Sequence, residues 1–184
     1  MPVGACAGDF SSGGTAGEVE RQMLKVGDRA PEFTLPDERG VEVSLSSVLH
    51  TGPVLLYFYP ADFTPGCTRE ACGIAEHYPQ LQQHGIRVLG ISPQYPDSHR
   101  RFRERYQLPF SLLTDHGKAV IRMYDVDGPL GLGVRRATYL IDPNRIIRGA
   151  VLADFRIQRH LDFIRQARQL LAQPGAGAAP WTGG

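Results

Sequence analysis

Residues 54–59 form an unbroken run of six apolar side chains, VLLYFY. A run of this length, rich in aromatic residues and bounded by proline on both sides, is typical of a central strand that is buried on both faces. Such a strand needs helices above and below its sheet. The run therefore predicts an α/β chain with this segment at its centre.

Strand and helix signals alternate along the rest of the chain. They predict a hairpin at 32–35 and 41–45, a helix at 65–84 ended by Gly85, a strand at 87–91, a helix at 97–106, a strand at 110–113, a helix at 119–124, a second hairpin at 136–141 and 145–152, and a helix at 157–171. Strand–helix–strand units give parallel neighbours, and hairpins add antiparallel ones. We expect an α/β, thioredoxin-like fold: a mixed central β-sheet flanked by helices on both faces.

The chain of 184 residues is long enough for one domain with tails. Residues 1–23 are rich in Gly, Ala and Ser and show no apolar period, and residues 173–184 have a similar composition. Both segments are interpreted as flexible tails. The domain is expected to span residues 24–172.

The charge of the chain is almost balanced, with 20 Lys and Arg residues against 19 Asp and Glu residues. This balance does not favour a nucleic-acid binder, and the basic segment 99–105 is interpreted as a solvated helix face with Phe102 packed inward. No apolar run approaches the ~20 residues that cross a bilayer, and the N-terminus lacks the features of a signal peptide. We expect a cytoplasmic protein that binds neither nucleic acid nor membrane.

The chain contains three cysteines: Cys6 in the N-terminal tail, and the close pair Cys67 and Cys72. So few cysteines do not make a secreted disulfide framework, and in a reducing compartment a close pair is more often redox-active or metal-binding than structural. A structural zinc site needs four ligands; beyond the pair and His77, no fourth is evident. We expect no metal and no cofactor, and Cys6 is interpreted as a passive thiol.

The pair lies in the stretch FYPADFTPGCTREAC, where the buried strand ends and a helix begins. Thr64 is a residue type favoured at the N-cap, and Pro65 suits the first helical position. Cys67 then falls in the first turn, beside unpaired N–H groups and the positive end of the helix dipole. This environment favours thiolate over thiol, and a thiolate is the species that attacks the O–O bond of a peroxide to give a sulfenic acid.

This stretch resembles the active-site loop of the peroxiredoxins, in which Pro, three residues, Thr, two residues and Cys follow one another; here these are Pro60, Thr64 and Cys67. The longer match FTPGCTREAC resembles the Q-type, or bacterioferritin-comigratory, subfamily, which has a second cysteine five residues after the first. In this sequence that second cysteine is Cys72.

A downstream segment, GVRRATYLID at 133–142, resembles the peroxiredoxin strand that carries the active-site arginine. By register this arginine is Arg136, and Arg135 points to the opposite face. The Gly- and Pro-rich segment 125–134 is expected to form a loop beside the site. The resemblance covers about residues 24–172 and implies a cofactor-free thiol peroxidase that reduces hydrogen peroxide and organic hydroperoxides and is recycled by thioredoxin or a similar dithiol.

The resemblance also implies a role for each matching residue. Cys67 would be the nucleophile, Thr64 would hydrogen-bond the thiolate and the peroxide, and Pro60 would shield the site from water. Arg136 would keep Cys67 ionised and stabilise charge as the O–O bond breaks. Glu70 would orient Arg136 or one of its neighbours.

Cys72 would condense with the sulfenic acid to form an intrachain disulfide, so that a monomer suffices, with a weak dimer as the alternative. Five residues along an ideal helix separate the Cα atoms of the two cysteines by ~8.7 Å, whereas a disulfide rarely tolerates more than ~7 Å. We therefore expect oxidation to be coupled to local unfolding of about residues 66–74. Gly73 weakens the helix there.

Other interpretations of the cysteine pair remain open. Two cysteines on an amphipathic helix can be ordinary buried thiols. A disulfide oxidoreductase usually shows Cys-x-x-Cys at the helix start, whereas four residues intervene here. From a different class, a redox sensor or binding protein could use the same thiols without clearing peroxide. Multiple turnovers with a thioredoxin system separate an enzyme from a sensor.

Overall fold

The computed structural model describes residues 23–172. The segments predicted to be tails, with Cys6, therefore lie outside the described residues, apart from residue 23. The described chain forms β1 (Thr34–Pro36), β2 (Glu42–Ser44), α1 (Leu45–Leu49), β3 (Val54–Phe58), α2 (Pro65–Gln83), β4 (Arg87–Ser92), α3 (Pro96–Tyr106), β5 (Ser111–Thr114), α4 (Ala119–Met123), a 3-10 turn (Pro129–Gly131), β6 (Ala137–Ile141), β7 (Ile147–Leu152) and α5 (Ile157–Ala172).

Each strand and helix predicted from the sequence is present, with small shifts at its ends, but two short elements were not predicted. Leu45 was expected to end a strand and instead begins α1. The reason is local capping, because the Ser44 side chain accepts a hydrogen bond from the Ser47 backbone N–H at 3.2 Å and starts a helix at that point. The 3-10 turn lies inside the Gly- and Pro-rich segment beside the site.

The main sheet has five strands in the order β5-β4-β3-β6-β7 within the described residues. β3 lies at its centre, parallel to β4 on one side and antiparallel to β6 on the other. The terminal hairpin β6–β7 is antiparallel, while β1 and β2 form a separate two-stranded sheet. The mixed sheet expected from the sequence is thus confirmed.

Helices cover both faces of the main sheet. Side chains of α1 and α4 share one buried cluster with Leu56 and Phe58, which point to one face of β3. Side chains of α2, α3 and α5 share the other cluster with Leu55 and Tyr57, which point to the opposite face. The α/β, thioredoxin-like architecture follows from this alternation along a strand that is buried on both sides.

The second face brings α2 and α5 side by side, and the glycine at position 73 permits their close approach. A Cβ atom at Gly73 would lie 2.6 Å from Cδ2 of Leu161 on α5. Packing against Leu161 therefore explains why a glycine, which weakens the helix, stands at this position. Its consequence is that the beginning of α5 lies next to the first turns of α2.

Candidate active site

Cys67 lies in the first turn of α2, where β3 and a short loop deliver the chain to the surface of the sheet. Thr64 occupies the N-cap position with extended backbone, and its carbonyl accepts the N–H of Thr68 at 2.9 Å. Its hydroxyl does not cap the helix and instead donates to the carbonyl of Ala61 at 3.2 Å. The Cys67 side chain points inward, and the residue is only 1% exposed.

Asp62 fixes the loop that leads to α2. Its buried carboxylate accepts hydrogen bonds from the hydroxyl of Tyr59 at 2.8 Å, the hydroxyl of Ser98 at 2.6 Å and the Nδ1–H of His99 at 2.9 Å. These partners come from the end of β3 and from α3, so the loop is tied to two elements. This network could not be predicted from the sequence, although a carboxylate stands two residues before the Thr-Pro-Gly-Cys motif.

Arg136 immediately precedes β6, the strand that pairs with β3, and its side chain reaches Cys67 on α2. Its Nη2 lies 3.3 Å from the Cys67 Sγ, and its Nη1 donates to Glu70 Oε2 in a buried ion pair. Asp154 anchors the arginine, since its Oδ1 accepts the Arg136 backbone N–H at 2.8 Å and its carbonyl accepts Nε at 3.3 Å. The structure therefore brings Cys67, Glu70 and Arg136 together, as the sequence motif indicated.

The electrostatics of this cluster follow from its burial. Burial alone disfavours the charged guanidinium, but Glu70 and Cys67 outweigh it and raise the pKa of Arg136. Burial also raises the pKa of Glu70 to about 7, with Arg136 acting in the opposite direction. The guanidinium is thus held positive, while the carboxyl group titrates near neutral pH.

His160 is a member of the cluster that sequence reasoning missed. Its Nδ1 lies 3.5 Å from Glu70 Oε1 and 2.8 Å from the Thr138 hydroxyl, and the ring is completely buried. Burial lowers the pKa of His160 to about 4. The available signal was helical spacing, because His160 is in register with Ile164 and Ala167 on the buried face of α5.

An open pocket of about 1130 Å³ lies beside this cluster. Pro60, Thr64, Gly66 and Arg136 form part of one wall, and segment 125–134 forms the other. The predicted loop is therefore next to the site. A Cβ atom at Gly66 would lie 3.3 Å from Arg136 Nη2, so the glycine leaves room for the guanidinium.

The mouth of the pocket is apolar and built from that loop and the turn before α5. Leu130, Leu132 and Phe155 are 98%, 74% and 96% exposed. Lys118 ties the loop down by donating from Nζ to the carbonyls of Gly131 at 3.1 Å and Gly133 at 2.9 Å. The pocket thus combines a polar base with an apolar rim.

Cys72 lies on the same continuous helix as Cys67, and both thiols are free. Cys72 is half-buried, and burial followed by the nearby Glu76 raises the pKa of its thiol. Because an unbroken helix carries both residues, the separation calculated for an ideal helix also holds in the folded protein. The two sulfurs are not placed to pair without a change in α2.

The geometry defines a thiol oxidoreductase on a thioredoxin-like fold, and comparison with known proteins makes this specific. The chain matches the AhpC/TSA family over residues 26–150. It is 40% identical over 137 residues to the chloroplastic peroxiredoxin Q of Sedum lineare, covering 74% of this chain and 73% of that protein. It is 41% identical over 144 residues to peroxiredoxin bcp of Coxiella burnetii, covering 75% of this chain and 94% of that protein.

Among solved structures, peroxidoxin BcpB from Mycobacterium tuberculosis matches with a TM-score of 0.75 and 33% identity, covering 83% of this chain and 99% of that one. The chain belongs to the AhpC/TSA family and is similar to its peroxiredoxin Q and bcp members. It is therefore a thiol-dependent peroxidase, an antioxidant oxidoreductase whose substrate is a peroxide.

The pKa of Glu70 predicts how stability varies with pH. Folding raises this pKa from its ordinary value of 4.5 to about 7, so the folded protein holds the proton more tightly than the unfolded chain. The contribution of Glu70 to stability is present below pH 4.5 and is lost as the pH rises through 7. Glu70→Gln, which carries no titratable proton, should therefore gain stability relative to wild type across that window.

Urea denaturation at several pH values measures this difference. Glu76→Gln, which removes an exposed carboxyl group on the same helix, is the matched control. The prediction would be contradicted if the difference in unfolding free energy between wild type and Glu70→Gln did not change with pH. It would also be contradicted if Glu76→Gln changed the pH dependence of that free energy as much as Glu70→Gln does.

Proposed function

We propose that Cys67 is the nucleophile that reduces hydrogen peroxide and organic hydroperoxides. The observation that carries this assignment is the buried Sγ in the first turn of α2, 3.3 Å from the guanidinium of Arg136. A cation at hydrogen-bonding distance and a helix N-terminus both favour the thiolate. An ordinary structural thiol would not be expected to lie against a buried guanidinium.

The reaction follows from the positions of Thr64 and Arg136. Because the Thr64 hydrogen is engaged by the Ala61 carbonyl, its oxygen remains an acceptor for the O–H of a peroxide in the pocket. The Cys67 sulfur attacks one peroxide oxygen, the O–O bond breaks, and the sulfur is oxidised to a sulfenic acid. Arg136 stabilises the negative charge that moves onto the departing oxygen, which leaves as water or an alcohol after taking a proton.

Pro60 and the apolar rim are proposed to set access to this chemistry. Pro60 lines the pocket next to Thr64 and limits the approach of water. The exposed side chains of Leu130, Leu132 and Phe155 offer apolar contact to the organic part of a hydroperoxide. The polar base would hold the O–O group, and the rim would hold its substituent.

Cys72 is proposed to resolve the sulfenic acid by forming a Cys67–Cys72 disulfide and releasing water. The pairing requires α2 to open over about residues 66–74, since both cysteines lie on one helix. In the reduced protein, Arg136 holds the first turns through Cys67 and Glu70. Consumption of the thiolate removes one of these contacts and so favours opening.

A thioredoxin-type dithiol would then reduce the disulfide and restore the helix. The protein is proposed to act as a monomer, since the pair lies within one chain, and to be cytoplasmic, as suits a cysteine pair that must be reduced again. Between residues 23 and 172, no helix is both long and apolar enough to cross a bilayer. Nucleic acid is not proposed as a partner, because the basic α3 packs Phe102 inward and pairs Arg100 with Asp97 and Arg103 with Glu38.

Two cysteine variants separate this enzyme from a stoichiometric redox sensor. Cys67→Ser should abolish peroxide turnover with a thioredoxin system, because the nucleophile is lost. Cys72→Ser should still consume one equivalent of peroxide per chain but should not recycle. Peroxide consumption and intact mass measure both outcomes, with Cys6→Ser as the control, and wild-type oxidation without recycling would favour the sensor.

Arg136→Lys should slow oxidation of Cys67 by roughly 10²–10³-fold. Lysine keeps the positive charge, but its single ammonium group cannot reproduce the fork that reaches Cys67 and Glu70 together. Stopped-flow measurement of the second-order rate with peroxide tests this. Arg135→Lys, on the half-buried neighbouring arginine that pairs with Asp154, should leave the rate near wild type, and an equal loss in both variants would count against the assignment.

Local opening of α2 is tested by hydrogen exchange. Backbone amides of residues 66–74 should exchange faster in the disulfide form than in the reduced form, because their helical hydrogen bonds must break for the sulfurs to meet. The remainder of α2 is the internal reference. Disulfide-bonded protein with equal protection over residues 66–74 would refute the opening.

A further inference from the structure

The carboxyl group of Glu70 is fully buried, and its two oxygens have different surroundings. Oε2 accepts a hydrogen bond from Arg136. Oε1 is buried and has no hydrogen-bond donor among residues 23–172, although it faces Nδ1 of His160 at 3.5 Å. A buried carboxylate oxygen without a donor is costly. The charge at this contact depends on which atom carries a proton.

The partners of the His160 ring fix its protonation. Nε2 lies 3.1 Å from the carbonyl of Ala153, which can only accept, so Nε2 carries the hydrogen. The ring is neutral at ordinary pH because burial lowers its pKa to about 4. Nδ1 is therefore bare and accepts a hydrogen bond from the Thr138 hydroxyl at 2.8 Å. An unprotonated Nδ1 has no hydrogen to offer Glu70.

The cost of this contact falls if Glu70 itself is protonated on Oε1. A neutral carboxyl group places no charge on the oxygen that lacks a donor, while Oε2 continues to accept from Arg136. The titratable and charged groups around the pair come from every neighbouring element and are Cys67 on α2, Tyr57 on β3, Arg136 before β6, Asp154 before α5 and Arg159 on α5.

Charge balance in this cluster depends on the state of the sulfur. With Cys67 as a thiolate, Arg136 already has an anionic partner at 3.3 Å, and a neutral Glu70 leaves one anion against one cation. Once Cys67 becomes a neutral sulfenic acid, the buried guanidinium has lost that anion. A carboxylate at Glu70 is then the available replacement, because its Oε2 already lies on the guanidinium.

We propose that Glu70, to which His160 offers no hydrogen, carries a proton while Cys67 is a thiolate and releases it when Cys67 is oxidised. In the balanced reaction, the Cys67 thiolate, the Glu70 carboxylic acid and a hydroperoxide react. The products are the Cys67 sulfenic acid, the Glu70 carboxylate and an alcohol. The O–O bond breaks and an S–O bond forms, with two electrons passing from sulfur to peroxide. The proton released at Glu70 offsets the one taken by the departing oxygen.

His160 is a positioning residue in this scheme, because it acts through Glu70 and not on the substrate. The inference rests on the proposed role of Cys67 as nucleophile. It adds that the reduced site stores its own proton, so that oxidation draws none from solvent. Without the Glu70–His160 pair, conversion of a thiolate to a sulfenic acid with release of an alcohol takes up one proton.

Proton counting tests the proposal directly. In a Cys6→Ser, Cys72→Ser background, Cys67 reacts alone with one equivalent of hydrogen peroxide in weak buffer with a pH indicator, slightly below neutral pH. The protein with His160 present should take up close to zero protons from solvent per Cys67 oxidised, and His160→Asn should take up close to one. The amide of the asparagine can donate to Oε1 and so hold Glu70 as a carboxylate in the reduced protein. His50→Asn, at an exposed position, is the matched control and should also give zero uptake.

Chemical trapping of the sulfenic acid, read by intact mass, accompanies each count. Oxidation with equal proton uptake in the parent and in His160→Asn would overturn this inference alone. Absence of any sulfenic acid in the parent would overturn the proposed function and the inference with it.

A second measurement does not require the His160 variant to fold. The infrared difference spectrum between oxidised and reduced parent protein should show loss of a protonated carboxyl stretch and gain of a carboxylate band, and Glu70→Gln should lack both. A parent spectrum without that loss would overturn the proposal.

Discussion

The bonds of one guanidinium, that of Arg136, hold the site together. It contacts the sulfur of Cys67 and the carboxyl group of Glu70 at once, and Asp154 fixes both its backbone and its Nε. Three elements must be in register for this to happen: α2, the start of β6 and the turn before α5. The active centre is therefore a property of the folded sheet and its second layer of helices and not of the cysteine motif alone.

Much of this arrangement could be predicted from the sequence because it follows from short-range rules. The apolar run 54–59 indicated the central strand, and Thr64 with Pro65 indicated where α2 begins and hence which end of a helix Cys67 occupies. Arg136 could be found only through its family motif, because nothing local distinguishes it from Arg135. Its contact with Cys67 joins positions 69 residues apart.

The role of His160 and the presence of α1 could not be predicted, for different physical reasons. α1 begins because the Ser44 side chain caps its first turn, and the same residues could instead have continued the strand. His160 lies on the apolar face of α5, and the role of a buried polar residue there can be inferred only once its partner is known. That partner, Glu70, belongs to another helix, and Gly73 lets the two helices approach closely enough for the contact.

The near-complete burial of the Cys67 sulfur also limits which molecules can reach it. A peroxide presents two small oxygen atoms and can approach the sulfur through the pocket, but a protein dithiol is far too bulky to enter behind Pro60. The pocket therefore admits a small peroxide to the sulfur and excludes a protein reductant. If α2 opens as proposed, electrons are delivered only after that opening, and the two half-reactions are separated in time.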